Sequence, residues 1–353
     1  MPIKTRLTAL TGCKIPVMAA PMAGVSGGAL AAAVARAGGL GFIAAGHANN
    51  AEALNSQVSQ FKSAALEGAQ PLLGFIGYSS MKGGDLSKIS AALDEHKPKI
   101  CQFFAPSIVD GGSNVKLAQS KGALVFAQVG SVKEANEALD AGVDGIIAQG
   151  REAGGHGLRT ELGSGTLPLA ARVVELARSN AKDVVVLAAG GIVDGRGLAA
   201  ALSLGCDGAV LGTRLWASQE AMGDASGVKR EALVKAECDD VLRTKVFDIL
   251  QDVGSANPWP QPFDSVGALK NDTTAQWHGN EGELKGQLQA EADSKVLSDF
   301  RDASKAIDLS KVCCYSGEGV GSITSLDSAE TIVAAVEAEA IEQIRRISSL
   351  IEE

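Results

Sequence analysis

The stretch VVVLAAGGIVDGRGLAAALSLGCDGAVLGTRL, residues 184–215, decides the fold. It opens on an apolar run, breaks at Gly190–Gly191, and resumes as a helical segment with Asp194 as its cap and Gly205 as its stop. A second apolar run, GAVLG (208–212), follows at once. Runs this continuous in Val, Leu and Ala fit parallel strands covered on both faces. The stretch is thus one strand, one helix and the next strand.

Working outward, the same unit recurs toward the N-terminus. Further apolar runs are IPVMAA (15–20), LGFIAA (40–45), PLLGFI (71–76), KICQFF (99–104), ALVFAQ (123–128) and GIIAQ (145–149). Helical segments separate them. GALAAAVARAGG ends at Gly38–Gly39, and SVKEANEALDAG starts at Ser131 and stops at Gly142. Eight strand–helix alternations predict an α/β fold, a (β/α)8 TIM barrel. An open doubly wound sheet is the alternative, but eight regular units without a break favour closure.

The rhythm changes after residue 216. Residues 217–312 are more polar and include NPWPQPF (257–263), with three of the chain's ten prolines. They read as a helical and loop insertion after the eighth strand, placed as a lid over the active site. The barrel would then be residues 1–216 and 313–353. From Ser328 to Ile351 a helical period returns, with Ile332, Val333, Val336, Ala340, Ile344, Ile347 and Ile351 apolar. This final helix would close the barrel, and its apolar face could serve a homodimer.

Composition narrows the function. Glycine is the outlier, 42 of 353 residues, against a usual share of ~7%. That excess implies tight turns or places where backbone approaches something closely. The net charge of −9 is spread along the chain with no Lys/Arg stripe, so nucleic acid is an unexpected partner. No window reaches the ~18 apolar residues of a membrane span, and PIKTRLTAL after Met1 lacks a secretory core. Cys13, Cys101, Cys206, Cys238, Cys313 and Cys314 form no C-x-x-C or zinc spacing, and four lie within or beside apolar runs. Buried reduced thiols, no metal and a cytoplasmic location are expected.

Barrel chemistry sits where strands end. The segments there are PMAGVSGG (21–28), GHANN (46–50), VGS (129–131), GREAGGHG (150–157), GGIVDGRG (190–197) and GTRLWAS (212–218). Gly190–Gly191 and Gly212–Thr213 each precede a helix, at the two successive loops where barrels often bind phosphate. Two such loops favour that reading over ordinary turns. No G-x-x-x-x-G-K-[ST] occurs, no G-x-G-x-x-G follows the first strand, and no lysine stands at these strand ends for a Schiff base. A cofactor such as FMN, or a sugar phosphate, fits what is left.

Read together, APMAGVSGG (20–28), AGGLGFIAAG (37–46), GVDGIIAQGREAGGHG (142–157), residues 186–215 and YSGEGVGSI (315–323) resemble the nitronate monooxygenase family, formerly called 2-nitropropane dioxygenases. The resemblance covers most of the chain. It implies an FMN-dependent barrel that oxidises alkyl nitronates, and in some cases nitroalkanes, with O2 to carbonyl compounds and nitrite. By position it implies that Pro21, Met22, Ala23 and Gly24 lie along the flavin ring, that Gln128 helps hold ring and ribityl chain, and that Gln149 and Gly155 border it. Gly190, Gly191, Gly212 and Thr213 would take the phosphate, and His156 matches the catalytic histidine. Enoyl-acyl-carrier-protein reductases and NADH:quinone reductases share the barrel and cofactor, so an FMN-dependent NAD(P)H reductase is the alternative. A phosphate-ligand-binding barrel without redox chemistry is a third reading from another class.

A histidine suits proton removal from a nitroalkane, because its ordinary pKa of ~6.5 leaves it mostly neutral near pH 7. His47 follows the second strand at the same face and is a second candidate for substrate contact. His96 in DEHKPK reads as solvated, and His278 in TAQWHGNEG as an insertion residue that could reach the pocket. Arg151 and Glu152 read as solvated charges. Trp259, Phe263 and Trp277 read as the apolar underside of the insertion.

Overall fold

All eight apolar runs form strands, and they lie parallel in one sheet. The computed structural model describes residues 2–45, 51–255, 257–290 and 294–351, so His47 lies outside the described residues. The barrel strands are β1 (Val17–Ala19), β2 (Phe42–Ala44), β3 (Leu72–Ile76), β4 (Ile100–Phe104), β5 (Leu124–Val129), β6 (Gly145–Gln149), β8 (Val185–Ala189) and β9 (Gly208–Leu211). Between β6 and β8 the chain forms a short strand, β7 (Gly155–Gly157), which belongs to another sheet. The barrel order runs β1-β9-β8-β6-β5-β4-β3-β2. Its ends meet where Met18 bridges Leu40 in parallel, with Ala19 N–H donating to the Leu40 carbonyl at 2.9 Å. The barrel is closed.

Inside it, alternate side chains fill the space. Met18, Phe42, Leu72, Ile100, Phe126, Ile147, Leu187 and Val210 form one inner cluster, and Leu7 reaches it from a helix at Arg6–Thr11. That helix is tied down by Arg6, whose guanidinium grips Asp207 at 2.9 and 2.8 Å. The caps fall where the sequence puts them. Asp194 accepts from Gly197 N–H at 3.1 Å and Ser131 from Glu134 N–H at 3.2 Å. Gly38 ends its helix at φ +99°.

The last helix, Ala329–Ser348, packs on the helices Gly195–Ser203 and Gly28–Ala37. It buries Ile332, Val333, Val336 and Ala340, each large side chain contributing ~1.5–3 kcal/mol. Ala340 and Glu339 leave no room for a Cβ at Gly195, and Glu339 accepts the Gly195 N–H at 2.9 Å. Beyond that contact Ile344, Ile347 and Ile351 are exposed.

The insertion departs from the helical and loop reading in one respect. It contains β10 (Val241–Thr244) and β11 (Ser265–Leu269), which pair antiparallel in the order β10-β11-β7. His156 sits in β7 opposite Val266 of β11. The third strand of this sheet is therefore Gly-His-Gly from a barrel loop, a tripeptide with no strand propensity of its own. Pairing with β11 makes it a strand. Behind the sheet, Val246, Phe247, Leu250, Val266, Trp277, Leu284 and Phe300 form a separate apolar cluster.

Candidate active site

One cavity of about 410 Å³ opens at the C-terminal ends of the barrel strands, within the range typical of small-molecule sites. Pro21, Met22, Ala23, Gly24, Gln128, Gln149, Gly155, His156, Gly190, Gly191, Gly212 and Thr213 all line it. Chain segments far apart in sequence thus converge on one space. Among the described residues no Lys, Arg, Asp or Glu lines the cavity, and His156 and Tyr315 are the titratable groups that do.

The glycines here serve two purposes. Some allow protein to pack on protein. A Cβ at Gly154 would stand 2.6 Å from Gly317 N, one at Gly319 2.6 Å from the Gly191 carbonyl, and one at Gly190 2.7 Å from Thr166 Oγ1. Residues 316–319 thereby lie directly on the loops after β6 and β8. Others face open space: Gly24 and Gly155 have φ of +73° and +67° and nothing within 4 Å of a built Cβ. Gly191 and Gly212 are nearly as open, with nothing closer than 3.7 and 3.8 Å, and these positions leave room for a ligand.

Around His156 the wall is made of side chains. Nε2 lies 2.9 Å from Oδ1 of Asp248, a buried residue on the helix Val246–Gln251. The ring stacks on Trp259, with centroids 3.6 Å apart and planes 14° from parallel. Tyr315 tilts against it at 5.9 Å, and Tyr78 meets Trp259 at 4.7 Å. Asp252, one turn beyond Asp248, accepts the Trp259 backbone N–H at 3.0 Å. Burial raises Asp252 above the ordinary carboxylate value, and burial beside Asp252 and Asp248 pushes the Tyr78 hydroxyl up to about 12.

The backbone of the loop is pinned as firmly as the ring. Gln149 Nε2 donates to the His156 carbonyl at 3.0 Å. Arg243 of β10 donates to the carbonyls of Arg151, Ala153, Gly155 and Ser265 at 2.6–3.3 Å. Burial lowers its guanidinium to about 10, against the opposing pull of Glu318, Asp248 and Glu152. At the barrel's other side Gln102 Nε2 donates to Gln128 Oε1 at 2.6 Å. Gln102 Oε1, Trp216 Nε1 and Asp248 Oδ2 are sealed from solvent and have no partner among the described residues.

Four expectations need correction. Glu152 is no solvated charge: it caps the helix Thr166–Arg178, accepting from Thr166 N–H at 2.9 Å and from its hydroxyl at 3.0 Å. His96 is buried, which lowers its pKa, because its helix turns that face onto the barrel wall. His278 does not line the cavity and bonds Thr244 Oγ1 at 3.1 Å instead. Trp259 is cavity wall rather than core, while Phe263 and Trp277 are buried. Asp248, Gln102 and Trp216 escaped the sequence reading. Asp248 left a trace, a lone carboxylate inside the apolar run VFDIL (246–250).

Comparisons with known proteins give the chain a family. The family model for nitronate monooxygenase matches residues 4–72 and 48–339. The chain is 31% identical to a nitronate monooxygenase of Neurospora crassa, over 94% of this chain and 91% of that one. This chain belongs to the nitronate monooxygenase family. A second family protein, from Metarhizium robertsii, is 32% identical over 90% of this chain and 88% of its own length. Among solved structures, FabK of Thermotoga maritima superposes with a TM-score of 0.77 at 25% identity, covering 99% of this chain and all of that one. A nitroalkane oxidase of Streptomyces ansochromogenes gives 0.75 at 25% identity, over 97% of this chain and all of its own. Membership of the nitronate monooxygenase family makes the chain an oxidoreductase and sets aside the barrel without redox chemistry. Among the described residues no helix is long and apolar enough to cross a membrane, and no acidic, His or Cys group could hold a metal ion.

Proposed function

We propose that this chain is an FMN-dependent nitronate monooxygenase, converting alkyl nitronates, and nitroalkanes after deprotonation, to carbonyl compounds and nitrite with O2. The observation that carries the reading is that His156 opens on the same cavity as the glycine loops after β8 and β9. A flavin fits the residues present. The unpartnered Trp216 N–H and Gln102 Oε1 ask a ligand for one acceptor and one donor, and a flavin ring offers both. Gly190 and Gly191, at φ +114° and +70°, line the cavity with backbone. Thr213 opens a single helical turn in which Leu215 and Trp216 N–H donate to the Gly212 carbonyl, while those of Thr213 and Arg214 have no backbone acceptor among the described residues.

In this assignment Gly190, Gly191, Gly212 and Thr213 hold the phosphate. Pro21, Met22, Ala23 and Gly24 run along the ring, Gln128 holds ring and ribityl chain, and Gln149 and Gly155 border it. Bound there, the flavin would supply the electron acceptor that O2 reoxidises. The chain's own part is to hold the substrate and move one proton. His156 takes the α-proton of a neutral nitroalkane or, protonated, orients a nitronate anion. Trp259, from residues 217–312, stacks over it and Tyr315 flanks it, so residues 217–312 act as the lid.

The nitronate and reductase readings differ in what reduces the flavin. Anaerobic mixing tests this. Propyl nitronate is expected to bleach the purified yellow protein rapidly and NADH to leave it oxidised. Bleaching by NADH without bleaching by the nitronate would replace this reading with the reductase one.

A further inference from the structure

We propose that Asp248 is a positioning residue that keeps the imidazole proton of His156 on Nε2 and leaves Nδ1 as the nitrogen that meets substrate. The proposal rests on the reading of His156 as the substrate-side base. A carboxylate only accepts hydrogen bonds, so Nε2 at 2.9 Å from Asp248 Oδ1 must be the donor. In the neutral ring Nδ1 is then the lone-pair nitrogen. It has no hydrogen bond among the described residues, and the ring that carries it lines the cavity. Ring rotation is blocked by the stack on Trp259, which Asp252 anchors from the same helix end.

A purely structural role for Asp248 does not account for its other oxygen. Oδ2 is buried without a partner, and an orphaned buried acceptor costs about 1–3 kcal/mol. Around it Val246, Phe247, Leu250 and Val266 form an apolar cluster that an apolar side chain would extend. The groups facing the pair are Asp252 on its own helix end, Tyr78 from beyond β3, Cys313 and Tyr315 from the returning segment, and Arg243 from β10. Arg243 is spent on backbone carbonyls. Proton abstraction then runs from the α-carbon to Nδ1. The C–H bonding pair passes into the nitro group, giving the nitronate, and the imidazolium keeps its Nε2–H on Asp248.

The test is the tautomer, read by two-bond 1H–15N correlation on the full chain with its cofactor and 15N-labelled histidine. The chain has four histidines, and His156→Asn identifies the signal. Neutral His156 is expected to carry its proton on Nε2 in the wild type and to lose that preference in Asp248→Asn. The same variant should lose about 10²-fold in kcat/KM on a neutral nitroalkane and less than about tenfold on the preformed nitronate. Asp248→Glu should recover part of the loss. An Nδ1–H tautomer in the wild type overturns the proposal, as does an Asp248→Asn variant with an unchanged tautomer and equal losses on both substrates. If Asp248→Asn does not fold, the wild-type tautomer decides alone. Because that readout needs no turnover, a protein that ignores nitronates yet shows Nε2–H refutes the proposed function and supports this assignment.

Discussion

Around Gly190, Gly191, Gly212 and Thr213 the cavity is walled by backbone from two neighbouring loops. Around His156 it is walled by side chains from residues 259 and 315, with Asp248 behind the ring, all far along the chain. The first wall depends on conformations that only glycine adopts cheaply, such as φ +114° at Gly190. The second depends on an antiparallel pairing that carries β7 into the insertion's sheet. A barrel loop that needs backbone amides can be complete in itself. A base that needs a partner, a stacking face and a fixed carbonyl has to borrow them.

If the walls divide the work this way, they can be damaged separately. The largest effect is expected from His156→Asn, with turnover falling about 10²–10⁴-fold while the flavin absorbance of the purified protein stays at the wild-type level. A variant that retains both flavin and turnover would remove the second wall's role. Gly190→Ala should do the reverse. Its Cβ would meet Thr166 Oγ1 at 2.7 Å, and strain of ~1–3 kcal/mol at that φ predicts flavin binding weaker by about 10- to 100-fold. Equilibrium dialysis against FMN reads that loss, and undiminished retention would dissolve the comparison.

The smallest effect concerns the joint between the walls. Arg159, just past β7, clasps Asp264, just before β11, at 2.7 and 2.6 Å. Burial raises Asp264, but the hydrogen bond and charge of Arg159 outweigh it and hold the carboxyl below 3.8. A native value below the unfolded one means the stabilisation is fully present above pH 3.8 and is lost as pH falls through the lowered value. Asp264→Asn should therefore cost about 1–2 kcal/mol in urea unfolding at pH 7, and the deficit should shrink as the pH falls below 3.8. A deficit that is constant with pH would place its origin in packing rather than charge.

The barrel was legible because its signals are local. Each strand is a nearly unbroken apolar run, and caps such as Asp194 and Gly38 act within a turn of where they stand. The insertion was less legible. VLRT and SVGAL become strands only by pairing, and their third partner is Gly-His-Gly. The glycines of residues 150–157 differ in what they face, and open space lies only at some of them. A Cβ at Gly155 would meet nothing within 4 Å, whereas Gly154 is a glycine because Gly317 lies against it.

By itself the sequence determined eight parallel strands, the loops at their ends and a single histidine among glycines at one of them. Those features follow from side-chain burial, helix caps and φ values, which are set by near neighbours. Tertiary structure alone decided that Asp248 meets Nε2 of His156, that Trp259 covers the ring, and that residues 316–319 lie on the loops after β6 and β8. The physical reason is separation along the chain. Asp248 is 92 residues from His156, and no local preference encodes a contact at that distance.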